Sequence, residues 1–259
     1  MTALGRTYLL AILAFLYLPI AVMIAMAFNN SELYTLPIEP STRWFIRLAS
    51  DQPLLSASRN SLLIACATSI IATLVGAMAA LALERKQFRG RTLLRLLLLP
   101  PIAIPWLIIG TAMLVFFFWT GIGRGLHALL IGHVALAIPY VVFIVGPGLQ
   151  TIRVDLEEAA MSLGSTPMHA FFTVTLPLWL PSVIAAALFA FAVSLDQFVI
   201  SYFLSAPGVS TLPVEIYSSI RKGFTPEINA ISTIFLAVSS VLILIFAQLS
   251  NLGSRRGSR

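Results

Sequence analysis

The chain has 259 residues, of which 59% are hydrophobic and only 10% charged, whereas about a quarter of a water-soluble domain is charged. Its mean hydropathy is +0.96, and its apolar runs exceed what one aqueous core hides, so lipid is the solvent for much of the surface. The net charge of +6 does not point to nucleic acid, because the basic residues stand at the ends of apolar segments and in short loops, the pattern that orients a membrane protein.

Six segments are long enough to cross about 30 Å of hydrocarbon as helices: 8–28, 60–83, 93–119, 127–149, 178–204 and 228–250. Continuous apolarity excludes a transmembrane barrel, whose strands alternate with period two. The expected fold is therefore an all-α bundle, a single transmembrane domain over 1–259. The first segment ends near Ala25-Met26-Ala27, which resembles a signal cleavage site. Its apolar run of about 20 residues is longer than the roughly 7–15 of a secretory signal, so it reads as an uncleaved helix. Segment 29–59, with Trp44, Phe45 and several prolines, suits an outer loop along the membrane surface. The single cysteine, Cys66, lies in the second apolar segment; it has no disulfide partner, supports no cysteine-based metal site and reads as a small packing residue.

Lysine and arginine set the orientation. With the N-terminus inside, the cytoplasmic parts hold ten: Arg6, Arg85, Lys86, Arg89, Arg91, Arg95, Arg153, Arg255, Arg256 and Arg259. The outer parts hold six: Arg43, Arg47, Arg59, Arg124, Arg221 and Lys222. Both termini are expected in the cytoplasm. In the fourth span His133 stands without a ligand cluster and reads as an interhelical hydrogen-bond donor, while Pro139, Pro147, Gly146 and Gly148 mark a kink or hinge.

The inner loop 153–177 is more than a connector. Asp155, Glu157 and Glu158 lie in the first turns of an expected helix, where the dipole favours acids. Gly164 breaks that helix, Ser165 and Thr166 can cap a second, and Pro167 suits its first position. His169, Phe171 and Phe172 follow, and the loop ends at Leu176-Pro177. The expected element is a helix–turn–helix at the membrane surface. Exposed phenylalanines in so small a loop call for a cover, either a partner protein or the lipid and bundle behind them.

The stretch Glu158-Ala159-Ala160, three residues, Gly164, nine residues, Val174, one residue, then Leu176-Pro177 resembles the EAA loop of the permease subunits of ABC importers. The family pattern has isoleucine where this chain has Val174; the other six positions match. The resemblance implies a short coupling helix near 164–172 that inserts into a cleft on a nucleotide-binding subunit, with Glu158, Ala159, Ala160, Gly164, Ser165, His169, Phe171, Phe172, Leu176 and Pro177 as coupling residues. Closure of the ATPase dimer would move this helix and the bundle with it, giving alternating access. The chain itself lacks a P-loop, which needs Gly-Lys-Ser/Thr: its only lysines, Lys86 and Lys222, each follow an arginine. The expectation is a non-catalytic subunit without a cofactor of its own, with ATP-Mg on a partner ATPase.

Asp196 stands alone in the fifth span. An ionisable group at membrane depth should face the bundle interior or a water-filled cavity, and a count from Pro181 along a continuous helix puts it about 22 Å along, in the outer half of the bilayer. Gln197 and Ser201 share a face at i, i+4, and Phe198 and Tyr202 are candidates for the same path. Two readings remain open for Asp196: a carboxylate that meets a cationic substrate or outer gate, and a structural hydrogen bond or wet interfacial group. The outer loop 205–227 contains an expected short helix over 214–222.

The segments Ser194-Leu195-Asp196-Gln197-Phe198-Val199-Ile200-Ser201-Tyr202-Phe203, Thr211-Leu212-Pro213-Val214-Glu215-Ile216-Tyr217-Ser218 and Pro226-Glu227-Ile228-Asn229-Ala230 are similar to the spermidine/putrescine permease subclass, in particular its second permease subunit. That subclass often carries two adjacent acids where this chain has Asp196-Gln197. The missing second carboxylate weakens the case for a polyvalent cation, and relatives on the same scaffold carry aminophosphonate or ferric iron. What the resemblance implies is a multi-pass subunit of the bacterial inner membrane that moves a small, polyamine-like solute. Its implied partners are an ATP-binding subunit dimer, a second homologous permease, an extracytoplasmic solute-binding protein and the lipid bilayer. An ion-coupled secondary transporter would place several ionisable or unwound sites near the midplane, commonly with repeats; one acid and no repeat argue against it. His127, His133 and His169 form no paired ligand motif, so no catalytic or metal site is expected.

Overall fold

Backbone amides in hydrocarbon have no water to bond, so apolar segments of this length close their hydrogen bonds internally as helices. A computed structural model of the chain describes residues 3–32, 35–223 and 226–256, with side chains described from 5 to 241. Arg259, and the side chains of Arg255, Arg256 and the far part of the sixth expected span, lie outside the described residues. The helices are α1 (Ala3–Ala27), α2 (Arg43–Leu48), α3 (Gln52–Arg85), α4 (Arg91–Leu97), α5 (Pro100–Ala103), α6 (Trp106–Trp119) and α7 (Leu126–Gln150). They continue with α8 (Val154–Ser162), α9 (Pro167–Ala170), a π turn (Phe171–Thr175), α10 (Leu176–Leu195), α11 (Val199–Leu204), α12 (Leu212–Lys222) and α13 (Glu227–Arg256).

Among the described residues, four continuous helices are long and apolar enough to cross a membrane: Gly5–Ala27, Gln52–Arg85, Leu126–Gln150 and Pro167–Leu195. The third expected span, 93–119, is not one rod. It comprises Arg91–Ala103 and Trp106–Trp119, bent by 109°. Pro105 causes the break: Ile104 before it is extended, with φ −81° and ψ 135°, as steric clash with a proline ring demands. The fifth expected span, 178–204, is also corrected at both ends. Its helix begins at Pro167 and stops at Leu195, and 199–204 form the separate α11. The expected helix over 214–222 is present as α12. Pro139 and Pro147 both lie within the continuous α7.

The described residues fall into two compact units. In the first, Met1–Ser56 with Glu215–Leu242, α1 is exposed from Arg6 to Pro19, as suits a helix solvated by lipid. Below it Trp44 is fully buried, donating from Nε1 to the carbonyl of Asn29 at 2.6 Å. The Arg43 guanidinium stacks 4.3 Å from its ring centroid. Asn29 ties the preceding turn through its side chain to Thr35 and Glu39.

The second unit, Ala57–Val214 with Ile243–Arg259, is built around α7, which packs against α10 and α11. One core joins Ala72, Ala80 and Leu83 of α3 to Val141 and Val145 of α7 and Trp179, Ala186 and Ala190 of α10. Small residues let these backbones approach, and polar groups then bond across helices: Ser69 Oγ donates to the Ala187 carbonyl at 2.6 Å and Trp179 Nε1 to that of Val145 at 2.8 Å. A second core gathers Ile64, Phe117, Leu129, Leu136, Ile200 and Leu204. Gly132 permits this approach of α7 to α11, since a Cβ there would meet Leu204 Cδ1 at 2.7 Å and Ile200 Cγ2 at 2.9 Å. Gly132→Val should therefore destabilise the protein by about 1–3 kcal/mol through overpacking. A lower melting temperature of the detergent-solubilised chain is expected, and an unchanged one would refute the tight contact.

Candidate functional site

The chain presents two places built for something other than spanning: the inner loop after α7 and the break between α10 and α11. At the start of the loop Arg153 pairs with Asp155, both exposed. The hydrogen bond from Arg153 holds the Asp155 carboxyl below its usual range, and the same contact raises Arg153. Asp155 and Glu157 occupy the first turn of α8, next to the positive end of the helix dipole. Glu158, Ala159 and Gly164 are exposed, and Ala160 is half-buried.

The end of α8 gives the motif spacing a physical reason. Gly164 has φ +98° with nothing near its missing Cβ. Its N–H donates to the Met161 carbonyl at 2.9 Å, and the Ser165 N–H to the Ala160 carbonyl at 3.1 Å. These are the paired closing bonds of a Schellman cap, with the left-handed glycine four positions after the residue whose carbonyl accepts the outer bond. Glu158-Ala159-Ala160, three residues, Gly164 is thus the length that ends this helix. Thr166 then caps α9, its Oγ1 accepting from the His169 N–H at 3.3 Å, and Pro167 takes the first helical position.

The turn leaves apolar side chains uncovered at its tip. Leu163 is 89% exposed, Met168 68% and Phe172 56%; Phe171 is half-buried and meets Phe172 edge-on at 5.3 Å. Leu163 and Met168 were not among the sequence candidates. Their signal was position, since both flank the cap that turns them outward. His169 is exposed. Leu176 is half-buried and Pro177 exposed, but they do not separate the loop from the fifth span as expected. The helix runs unbroken from Pro167 to Leu195 over 29 residues. A π turn at Phe171–Thr175, closed by Leu176 N–H to the Phe171 carbonyl, shifts the hydrogen-bond register just ahead of Pro177, which has no N–H to give.

At the second place α10 ends with Asp196 as its C-cap. A carboxylate is disfavoured at the negative end of a helix, so Asp196 is not there to stabilise α10. Its side chain is exposed, and no ion pair or hydrogen bond to it occurs among the described residues. Gln197 turns the opposite way: it is 1% exposed, its Oε1 accepts from the Ile200 N–H at 3.4 Å, and its Nε2 has no partner among the described residues. Phe198 and Tyr202 pair their rings at 5.6 Å; Phe198 is half-buried and Tyr202 exposed. The four sequence candidates for a path therefore divide, with Gln197 inside the protein.

A hydrogen-bond chain holds the break together. Ser201 Oγ donates its one proton to the Gln197 carbonyl at 2.6 Å, so it must accept from His133 Nε2–H, 2.9 Å away. His133 Nδ1 is then the acceptor, taking the Ser194 hydroxyl proton at 2.8 Å. Ser194 lies in the last turn of α10, Ser201 lies in α11, and His133 comes from α7, so one buried imidazole clasps both sides of the interruption. His133 is the interhelical donor expected from sequence, and an acceptor as well.

Comparison with known proteins follows this geometry. Residues 72–256 match the family model of the binding-protein-dependent transport system inner membrane component. The chain is 36% identical over 236 residues to the putrescine transport system permease protein PotI of Escherichia coli (strain K12), covering 88% of this chain and 84% of that protein. It is 34% identical over 237 residues to the spermidine/putrescine transport system permease protein PotC of the same strain, covering 92% and 90%. Among solved structures it resembles a chain of a bacterial ABC transporter involved in the import of the acidic polysaccharide alginate. That likeness has a TM-score of 0.71 at 18% identity, over 99% of this chain and 95% of that one. For the MetNI methionine ABC transporter the TM-score is 0.63 at 19% identity, over 77% and 95%.

Interhelical hydrogen bonds in membrane proteins contribute about 0.6 kcal/mol each on average, so His133→Leu, which removes two, should cost about 1 kcal/mol. A lowered melting temperature in detergent is expected. An unchanged one would mean that the serine hydroxyls are satisfied within their own helices.

Proposed function

This chain belongs to the family of binding-protein-dependent transport system inner membrane components, as a multi-pass bacterial inner-membrane permease subunit of an ABC importer, and on that premise we propose that it moves a polyamine-like solute by docking an ATPase on its inner loop. The observation that carries the docking assignment is the Schellman-capped turn with Leu163, Met168 and Phe172 uncovered beside it. Apolar groups held out at a loop tip call for a partner surface. The loop occupies a cleft on an ATP-binding subunit, one of a dimer that binds ATP-Mg, while this chain hydrolyses nothing. A second homologous permease and an extracytoplasmic solute-binding protein complete the machine. Six spans with both termini cytoplasmic follow if the bent pair counts as one span and α13 as another, and the Lys/Arg distribution supports that orientation.

The solute reading rests on the relatives that bear putrescine and spermidine/putrescine in their names, and on Asp196, an exposed carboxylate at a helix end that gains nothing from it. A diamine suits one carboxylate better than a longer polyamine does, and the burial of Gln197 leaves Asp196 without a polar neighbour from the next residue. That asymmetry also favours a second reading, in which the same machinery carries another small solute such as an aminophosphonate or ferric iron.

Two measurements test this. Gly164→Val forces a β-branched residue into a left-handed conformation, and Leu163→Asp with Phe172→Ala removes the exposed contacts; each should abolish co-purification of the ATPase. Retention at the wild-type level would refute docking there. Loss of a charge-assisted contact worth about 1.5–3 kcal/mol means that Asp196→Asn should lower putrescine uptake into reconstituted vesicles by about 10- to 100-fold, with assembly intact. Wild-type uptake by that variant would remove Asp196 from the path.

A further inference from the structure

Glu157 is not one of the residues through which the loop resembles its family, yet it is the loop acid the fold holds most firmly. No residue of α8 is buried, so apolar packing does not fix this helix to the bundle. Its ties are polar and converge on Glu157. Thr175, fully buried in the π turn, donates its hydroxyl proton to Glu157 Oε1. Arg85, at the end of α3, approaches the same oxygen at 3.5 Å, with side chains 16% and 25% exposed, and also donates to the Ile152 carbonyl at 3.3 Å. Partial burial makes this ion pair worth more than an exposed one. The contrast is Arg153–Asp155, two residues apart and exposed, which joins the loop to nothing beyond itself.

The junction brings together the inner ends of three membrane helices: α3 through Arg85, α7 through the turn at Ile152, and the Pro167–Leu195 helix through Thr175. The π turn takes part, since an inserted residue re-aims the side chains around it and here Thr175 faces the bundle. A push on the Gly164 turn therefore reaches α8 and α9 as one body, and reaches the bundle through Glu157. We propose that Glu157 is the positioning residue that couples the docking loop to the transmembrane helices, so that its loss leaves the ATPase bound and active but disconnected from transport. This rests on the docking reading above, which is tested separately by the Gly164, Leu163 and Phe172 variants.

The test is made on the whole importer complex in vesicles, reading putrescine uptake per ATP hydrolysed. Glu157→Leu should keep the ATPase at its wild-type amount and near its wild-type rate, while uptake per ATP falls about tenfold, within the usual range of coupling between linked sites. Glu157→Arg should be equally uncoupled. Combining it with Arg85→Glu should restore most of the ratio, because the ion pair is rebuilt with its polarity reversed. Arg153→Ala, which breaks only the local pair, should leave the ratio unchanged. Wild-type uptake per ATP in Glu157→Leu overturns the proposal. So does loss of the ATPase from that variant, which would place Glu157 in docking or folding, and so does a parallel fall of hydrolysis and uptake at constant ratio. If the Gly164 and Leu163/Phe172 variants keep their ATPase, the docking reading fails instead, on co-purification alone.

Discussion

Hydrocarbon offers no partner to an open backbone amide, and in this chain that single constraint decides where irregular structure can occur. Two helix ends show side chains bonding groups that an interrupted helix leaves open. Between α10 and α11 the replacement is the chain Ser194–His133–Ser201–Gln197 carbonyl, buried against a face of α7 that Gly132 keeps thin. At the inner end of α3, Arg91 and Arg95 reach back to the Leu83 carbonyl and Arg95 pairs with Glu84 at 2.7 Å, so side-chain cations cap the carbonyls that the helix end leaves open.

The loop after α7 obeys a different rule. Its shape comes from turn chemistry: a glycine in left-handed conformation, two crossed closing bonds and a threonine cap. Such a turn is compact and stiff for its length. For the docking proposed above, stiffness matters, since a floppy knob would absorb displacement, and the polar contacts of Glu157 with Arg85 and Thr175 lie between this turn and the bundle.

Much of this was legible in the sequence. Apolar run lengths located the four long apolar helices, and Gly164, Thr166 and Pro167 marked the loop's turn and its second helix because their roles depend on backbone conformation alone. The bend after Ala103 also had a local sign, Pro105, although the surrounding apolarity outweighed it and a single span was expected. The break at Asp196 had no such sign. No proline or glycine lies from Leu195 to Phe198, and the group that sustains the break, His133, is 61 residues from Ser194. The continuity of Pro167 to Leu195 was hidden for the opposite reason, since Pro177 reads as a boundary until a π turn accommodates it. Glu157 could not be told from its acidic neighbours, because its distinction depends on Arg85 and Thr175, both remote in the chain.

That continuous helix has a mechanical consequence. At 1.5 Å per residue, the 29 residues from Pro167 to Leu195 make a rod of about 43 Å. One end is part of the loop tip and the other is the break beside Asp196. Pivoted near the loop, a rod of that length turns a tilt of about 5° into a displacement of about 4 Å at the far end. Under the docking proposed above, the helix would serve as a lever arm whose rigid part stops at the interruption over Asp196–Phe198.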